Sequence, residues 1–589
     1  VPKLPSPDLR LGVRALHDLE GVEILDALTY DESSASWILR VRLTIATSSK
    51  FIPTTSNWYV LVDDAYPSGL AEFYPAEVGG VNATLRHMKQ NRRTGRAWRN
   101  GALCLDRPGR WLGNAALSGQ PNSAFGKLRF HAESALKWLD FAARDILTED
   151  GERFELPVFS EGEREVIGFD ETPDRLQRWS TLQGRFGRVR VRSISDGALV
   201  VEEMLLRSNV VHTSRWGSRI RSAEEIEGVF WLSLPKMPVI APWAAPLTWG
   251  SMRSTVRAMG VNLDEQLKGI YRMLRDKPGK EPAILMVGFP IPNVFDGPVA
   301  QMHWQPLSLP VAVTGIGSKT RTISRAGHKV AWRLQRARTM ADDTPLAWRW
   351  SENWSGNAMR IRGTLHERVC NARIALVGAG ALGSALGEML VREGVSDMTI
   401  YDLESFEIGN LRRHVLTMDD VTKNKATALA ERLNGVSPFA NVCGVQLGSS
   451  YRSDLAPVSE AEIVIDCTAN EDVIAALAQV LNRGQDRWFF KGAFGLDADR
   501  LFLYSEHGRG IDVARYHAHM AAPLAEERKK IADRGLNEMQ PTGCWNPVFP
   551  GRWSQIQVRA SEMLKEIEAT LASDAALDNK FSIIPSNAA

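Results

Sequence analysis

The sequence predicts an α/β protein: a doubly wound, mostly parallel sheet towards the C-terminus, preceded by a middle linker domain and an N-terminal α+β domain. Three observations carry this. Ile374-Ala375-Leu376-Val377 is a short apolar run that leads into Gly378-Ala379-Gly380-Ala381-Leu382-Gly383 and a helical stretch reaching Gly394. Further strand-like runs begin at Met398, Ile463 and Trp488 and alternate with helical patterns over 424–433 and 473–481, the order that builds a parallel sheet. Near the N-terminus, Trp37, Leu39, Val41, Leu43 and Ile45 alternate instead with more polar neighbours, which is the period of a half-buried strand.

Taken in order, residues 1–157 open with an expected helix over 7–19 and the strand at 37–45. A second strand over 58–62 stops at the turn Tyr66-Pro67-Ser68-Gly69. A polar, Arg-rich loop from Arg92 to Arg110 carries Cys104, and a helix over 131–146 offers Leu136, Leu139 and Phe141 to a core. Residues 158–345 show strands at 187–194 and 283–287, a helix over 263–274 and an irregular Pro/Trp-rich stretch at 235–249. Nothing there points to chemistry, so this part is assigned as a linker or scaffold. Residues 346–589 hold the parallel sheet, a helix or loop from Leu524 onward, and a final amphipathic helix over 553–571 suited to packing.

The chain has 589 residues, 71 Lys+Arg and 69 Asp+Glu, a net charge of +2. That near-neutral balance gives no electrostatic case for nucleic acid. No apolar run is long enough to span a membrane, and VPKLPSPDLR lacks the basic-then-apolar pattern of a signal peptide. Cys104, Cys370, Cys443, Cys467 and Cys544 are scattered without a C-x-x-C pair, which fits neither a disulfide framework nor a thiolate zinc site and suits a reducing cytoplasm. His517 and His519 have no evident companion metal ligands.

The glycine turn has the context that a nucleotide-binding turn requires, a strand before it and a helix after it. Gly378 permits the tight turn, Gly380 lets the backbone approach phosphate and Gly383 lets the helix pack on the sheet. The helix N-terminus adds N–H donors and partial positive charge for an anion. Asp402, at the end of the next strand, is placed to accept from ribose hydroxyls. These features alone fit a nucleotide or a dinucleotide. Asn410-Leu411-Arg412-Arg413-His414 and Lys423-Asn424-Lys425 follow, and a dehydrogenase has no need of an Asn and several cations there. An adenylating enzyme does, because the α-phosphate gains charge as a carboxylate attacks it. Arg413 is placed to stabilise the pentacovalent state and Lys425 to neutralise the triphosphate of ATP, while Asp466, ending the strand at 463–465, is the candidate ligand for Mg2+.

The stretch from Gly378 to Pro438 resembles the adenylation domain of the ubiquitin-activating, ThiF and MoeB superfamily. The resemblance places the family's glycine turn on Gly378–Gly383, its ribose carboxylate on Asp402, the Asn and Arg of its N-L-x-R motif on Asn410 and Arg413, and its Lys on Lys425. One position departs: where the family reads D-C-T-D-N, with the second Asp as magnesium ligand, this chain has Asp466-Cys467-Thr468-Ala469-Asn470. The metal role then falls to Asp466, Glu471 or Asp472.

Two cysteines are candidates to carry acyl groups. Cys544 sits among Gly543, Pro541, Pro547 and Pro550, an irregular setting that keeps a nucleophile reachable. The segment resembles the one bearing the activating cysteine in bacterial members fused to a conjugating domain. Residues 1–157 resemble the bacterial ubiquitin-conjugating-like fold, with Cys104 in its cysteine loop. The H-P-N tripeptide of eukaryotic conjugating enzymes is missing; His87, Asn91 and Asn100 are the substitutes the sequence leaves open, and Arg92, Arg93, Arg96, Arg99, Arg107 and Arg110 are placed to activate the thiol or dock an acidic partner. Arrangement and length resemble the two-headed transferases of bacterial CBASS antiphage systems. The resemblance implies ATP-dependent activation of a partner protein's C-terminal tail, transfer to Cys544 and then Cys104, ligation to an amine, and a homodimer. The implied partner is a cGAS-like nucleotidyltransferase; the alternatives are a bacterial ubiquitin-like protein, a catalytically silent nucleotide-binding scaffold, or an NAD-dependent oxidoreductase.

Overall fold

The computed structural model describes residues 3–105, 121–148, 151–160, 165–276, 283–310, 330, 333–334, 337–448, 451–482, 485–534, 551–573 and 579–585. The chain divides into two compact units: Val1–Arg190 with Glu203–His212 and Glu227–Asn353, and Val191–Glu202 with Thr213–Ile226 and Trp354–Ala589.

The first unit begins with an antiparallel sheet ordered Val22–Ile24, Ser36–Thr44, Thr55–Asp63, Ala71–Pro75, with Thr29–Asp31 also paired to Ser36–Thr44. Strict alternation buries Trp37, Leu39, Val41 and Leu43 against Trp58, Val60 and Val62. The helices Pro7–His17 and Ala124–Arg144 close that core with Leu9, Leu16, Leu128 and Leu139. The second helix starts seven residues before the expected position. Its first turns put only Ala124 and Leu128 on the buried face and are held by Ser123, which caps Gly126 N at 3.0 Å, and by Lys127 Nζ, which donates to the Pro67 and Gly69 carbonyls at 2.6 Å. Tertiary anchoring there adds to a short local periodicity.

The middle part forms a mixed sheet, ordered among the described residues Ala347–Trp348, Val299–Ser308, Ile284–Pro292, Glu224–Ser233, Phe186–Ser195, Ala198–Leu206, Val166–Phe169, Trp350–Asn353. The helices Trp249–Ala258 and Leu263–Asp276 supply Trp249, Met252, Val256, Leu267 and Ile270 to its core. Glu171 is buried beneath this sheet, where the indole N–H groups of Trp179 and Trp304 donate to its Oε1 at 2.8 and 3.0 Å and its Oε2 has no hydrogen-bond partner. Burial pushes its carboxyl up to about 7. The folded state thus keeps a proton that the unfolded chain releases near its ordinary value, so this stabilisation is complete in acid and is lost as the pH rises through about 7. Between pH 5 and 8 the wild type is expected to lose about 3 kcal/mol more stability than Glu171→Gln, measured by urea unfolding at the two pH values.

The second unit contains the doubly wound sheet, ordered Asn441–Gln446, Asp397–Asp402, Ile374–Val377, Ile463–Asp466, Arg487–Phe494, Arg500–Gly508, Asn579–Pro585. The first five strands are parallel; Arg500–Gly508 pairs antiparallel to the fifth, and Asn579–Pro585 pairs antiparallel to Arg500–Gly508. Chain order reverses between Ile374–Val377 and Ile463–Asp466, which places the carboxyl ends of these adjacent strands at the switch point where open α/β sheets bind ligands. The helix Trp553–Ala572 buries Ile556, Ala560, Met563, Leu564 and Ile567 in the same core as Leu382 and Leu386, so it is a packing element. The stretch from Leu524 belongs to the helix Val513–Arg534. Among the described residues no helix is long and apolar enough to cross a membrane.

Candidate active site

The glycine turn follows the strand Ile374–Val377, and the helix Ala381–Arg392 starts directly after it, with Gly380 at its N-cap. Gly378 adopts a left-handed φ of 93°. A Cβ on Gly383 would fall 1.9 Å from the Gly378 carbonyl oxygen, whereas one on Gly380 would meet nothing within 4 Å. The middle glycine therefore opens onto space and the third allows close packing. Gly383→Ala is expected to cost about 2 kcal/mol and displace the turn, checked by thermal unfolding with and without ATP.

Two buried residues lock the turn through its central peptide units. Asp402 accepts from Ala379 N through Oδ2 at 2.6 Å and from Glu404 N through Oδ1 at 2.7 Å, and burial raises its carboxyl above the usual range. His414 holds the Ala379 carbonyl through Nε2 at 2.6 Å while Nδ1 accepts from Leu416 N at 3.1 Å, which fixes the Nε2–H tautomer. Burial pulls this imidazole down to about 4, so it is neutral at pH 7. Sequence reasoning passed over His414; its one signal was its place directly after Arg413.

The cleft in front of the turn has a volume of about 340 Å³, and Gly380, the first helical residues Ala381 and Leu382, Asn410, Arg413 and Lys425 border it. The N-terminal helix amides, which have no intrahelical acceptor, and two cations make this an anion site. Asn410 Oδ1 accepts from Glu407 N at 2.9 Å and so stabilises the turn that presents Arg413. Burial lowers the Arg413 guanidinium from its ordinary value, yet it stays charged. Asn424 caps the helix Lys425–Leu433 and also donates to the carbonyls of Asp402 and Glu404, both at 3.1 Å. Lys425, buried to 7% exposure, points its ammonium at Glu404 Oε2, 2.5 Å away.

Asp466 departs from its expected role. Its carboxylate is fully buried, with Oδ1 accepting from Thr468 N and Oγ1 at 2.8 and 2.7 Å and Oδ2 paired with Lys491 Nζ at 2.6 Å. It shapes the floor of the cleft instead of lining it. Ala469, with φ of 50°, occupies the rim, and no carboxylate lines the cleft among the described residues. Glu471, the second metal candidate, pairs with His517 Nε2 at 2.6 Å. Asp466 and Glu471 are thus engaged elsewhere, while Asp472, the third candidate, is exposed in the first turn of the helix Glu471–Leu481; the groups that line the cleft fit the phosphates of a nucleotide. The described residues include no group of three or more His, Cys, Asp or Glu able to hold a metal.

Cys104 lies in the first unit and is exposed. The backbone leading to it is fastened by Arg99 N to Pro75 O at 2.9 Å, Leu103 N to Phe73 O at 3.0 Å and Cys104 N to His87 O at 2.9 Å. Of the loop arginines, Arg99 is buried and bonded to Asn91, Arg93 pairs with Glu77 at 2.8 Å and Arg96 lies over Trp98. These three stabilise the loop itself. Arg107, Arg110 and Cys544 lie outside the described residues. Of the remaining cysteines, Cys370 is buried, and Cys467 borders the cleft with its thiol pushed far up by burial.

Residues 355–535 match the ThiF family and residues 145–354 match the Cap2 central linker domain. The chain is 28% identical over 549 residues to the ATP-dependent ubiquitin transferase-like protein Cap2 of Enterobacter hormaechei, covering 91% of this chain and 90% of that one. It is 36% identical over 107 residues to the sulfur carrier protein ThiS adenylyltransferase of Bacillus subtilis, covering 18% of this chain and 32% of that one. Among solved structures, E. coli MccB with ATP aligns at 14% identity and a TM-score of 0.27, covering 45% of this chain and 80% of that one. A Cap2 central linker domain running directly into a ThiF-family domain makes this chain an enzyme of the ATP-dependent ubiquitin transferase-like kind.

Proposed function

We propose that the cleft at Gly378–Gly383 binds ATP and adenylates the C-terminal carboxylate of a partner protein. The observation that carries this is the convergence of Gly380, the helix N-terminus, Asn410, Arg413 and Lys425 on one cleft. Arg413 stabilises charge developing on the α-phosphate and Lys425 faces the leaving pyrophosphate. Adenylation is the needed first step because a carboxylate resists nucleophiles at neutral pH, whereas AMP is a good leaving group. The acyl group then passes to Cys544, next to Cys104 in an N-terminal conjugating-like domain (residues 1–157), and finally to an amine. Exchange between two thiols is close to isoenergetic, so one polypeptide helps by raising effective concentration.

The partner that best suits the resemblance is a cGAS-like nucleotidyltransferase in antiphage defence, with a homodimeric enzyme working in the cytoplasm. A ubiquitin-like protein is the alternative cargo. A nucleotide-binding scaffold without catalysis is the second reading, favoured by Ala469 at a position where the superfamily carries a carboxylate. The deciding experiment combines ATP–pyrophosphate exchange with a non-reducing gel, run with and without the candidate cargo. Cargo-dependent exchange and reductant-sensitive adducts support the relay; nucleotide binding without exchange supports the scaffold.

A further inference from the structure

One short stretch of chain sets the backbone that carries Cys104. Cys104 N donates to His87 O and Lys89 N to Ala102 O, both at 2.9 Å, and these bonds flank the bridge between Met88 and Leu103. Met88 and Leu103 are buried in the N-terminal core, so the backbone of residues 87–89 fixes that of residues 102–104. His87 takes a left-handed φ of 57°, a conformation that is costly for a residue with a side chain and persists only where its surroundings hold it.

Those surroundings come from the middle part of the same unit. At one end of the stretch Thr84 O accepts from Trp243 N at 3.0 Å, and at the other Gln90 Nε2 donates to Ala245 O at 3.3 Å. Between them the Arg86 guanidinium lies 4.8 Å over the ring of Trp243 and 4.5 Å over that of Phe295, and donates to Thr148 Oγ1 at 3.1 Å. Arg86 also lies 3.7 Å from Asp296, but that carboxylate is exposed, so the two aromatic faces carry more of the attachment. The ring nitrogens of His87 face Glu152 and Glu155 at 3.0 and 3.6 Å. The segment bearing these carboxylates is itself fastened to the middle part, by Phe154 N to Asn293 O at 3.0 Å and Phe295 N to Glu152 O at 2.9 Å.

We propose that the middle part is a cradle that presents Cys104 for the second thiol transfer, with Arg86, Trp243 and Phe295 as positioning residues. The inference rests on the thioester relay above. In that transfer the Cys104 thiolate attacks the carbonyl carbon of the Cys544 thioester. A C–S bond to Cys104 forms as the one to Cys544 breaks, and the electron pair leaves on the Cys544 sulfur. The proton that Cys104 gives up to water is matched by one that the released thiolate takes from water. The exchange gains almost no energy, so its rate is set by how often the two sulfurs meet in a productive orientation. A conjugating-like domain on a free tether meets its donor only at the effective concentration of a flexible linker, whereas one seated on Trp243 and Phe295 gives up that freedom and keeps one orientation.

The test compares two routes to the same sulfur in the full chain. In the first, ATP and a fluorescent cGAS-like nucleotidyltransferase load Cys544, and rapid-quench samples are mapped by mass spectrometry for adduct on Cys544 and on Cys104. In the second, a peptide with a C-terminal glycyl benzyl thioester acylates Cys104 directly, without ATP and in the Cys544→Ala background. Arg86→Ala and Trp243→Ala are each expected to slow transfer from Cys544 to Cys104 about tenfold, while direct acylation stays near the wild-type rate, so the ratio of the two rates falls. Arg86→Lys, which keeps a cation over the rings, is expected to restore most of that ratio. A merely structural role would damage Cys104 itself, slow both routes together and leave the ratio unchanged; that result overturns the proposal, as does transfer at the wild-type rate in Arg86→Ala. Should Trp243→Ala fail to fold, the ratio in Arg86→Ala decides by itself. Failure of the relay reading shows differently, as wild type without ATP-dependent adduct on either cysteine, and it overturns this inference as well.

Discussion

Arg413→Ala is expected to lower ATP–pyrophosphate exchange by about 10²–10³-fold, with a much smaller loss of nucleotide affinity. Removing one preorganised donor aimed at charge that develops in the transition state costs about this much. The setting strengthens the effect, because Arg413 borders the cleft, is partly desolvated and sits on a turn fixed by Asn410. Lys425→Ala should differ in kind. Its ammonium is tied to Glu404 in the structure, and in the proposed complex it would meet the ground-state triphosphate, so its loss should raise KM for ATP as well as lower the rate. The measurement is steady-state exchange at saturating cargo, with ATP affinity from isothermal titration. Equal losses in binding and rate for Arg413→Ala would remove it from the reacting phosphate.

Cys104→Ala is expected to abolish the amide product, by more than about 10³-fold, while exchange and one reductant-sensitive adduct on Cys544 persist. Without its sulfur, the second transfer has no nucleophile, and an uncatalysed amine attack on the first thioester is slow. Cys544→Ala should leave adenylation intact and eliminate both adducts. Non-reducing gels and intact-mass spectrometry of each variant with cargo check the order; an adduct on Cys104 in Cys544→Ala would reverse it. The exposure of Cys104 meets the first requirement, that an incoming tail can reach the sulfur.

Much of the adenylation half was legible in the residues. The strand Ile374–Val377 appears where the apolar run predicts it, and the helix Lys425–Leu433 begins at its Asn424 cap. Such signals are local, since glycine, caps and periodicity act within a few residues. The middle sheet was mostly illegible because the strand Ala198–Leu206 interrupts its apolar residues with Glu202 and Glu203, which pair with Arg192 and Arg190 of the neighbouring strand at 2.8 Å. A sequence shows those charges but not their cross-strand partners.

Asp466 makes the same point at the site. From the sequence it is a carboxylate at a strand end, a fair place for a metal. Strand register then sets it opposite Lys491, and the buried pair uses the carboxylate for structure. The sequence by itself determined the doubly wound sheet, the glycine turn and the set of groups that converge on it, because backbone dihedral demands and hydrophobic periods are written in adjacent residues. Folding alone settles which charged groups stay available and which are spent, why His414 matters and that the backbone of His87 pairs with that of Cys104. Those outcomes depend on pairing between segments far apart in the chain, where burial and register, not composition, set the partner of each polar atom.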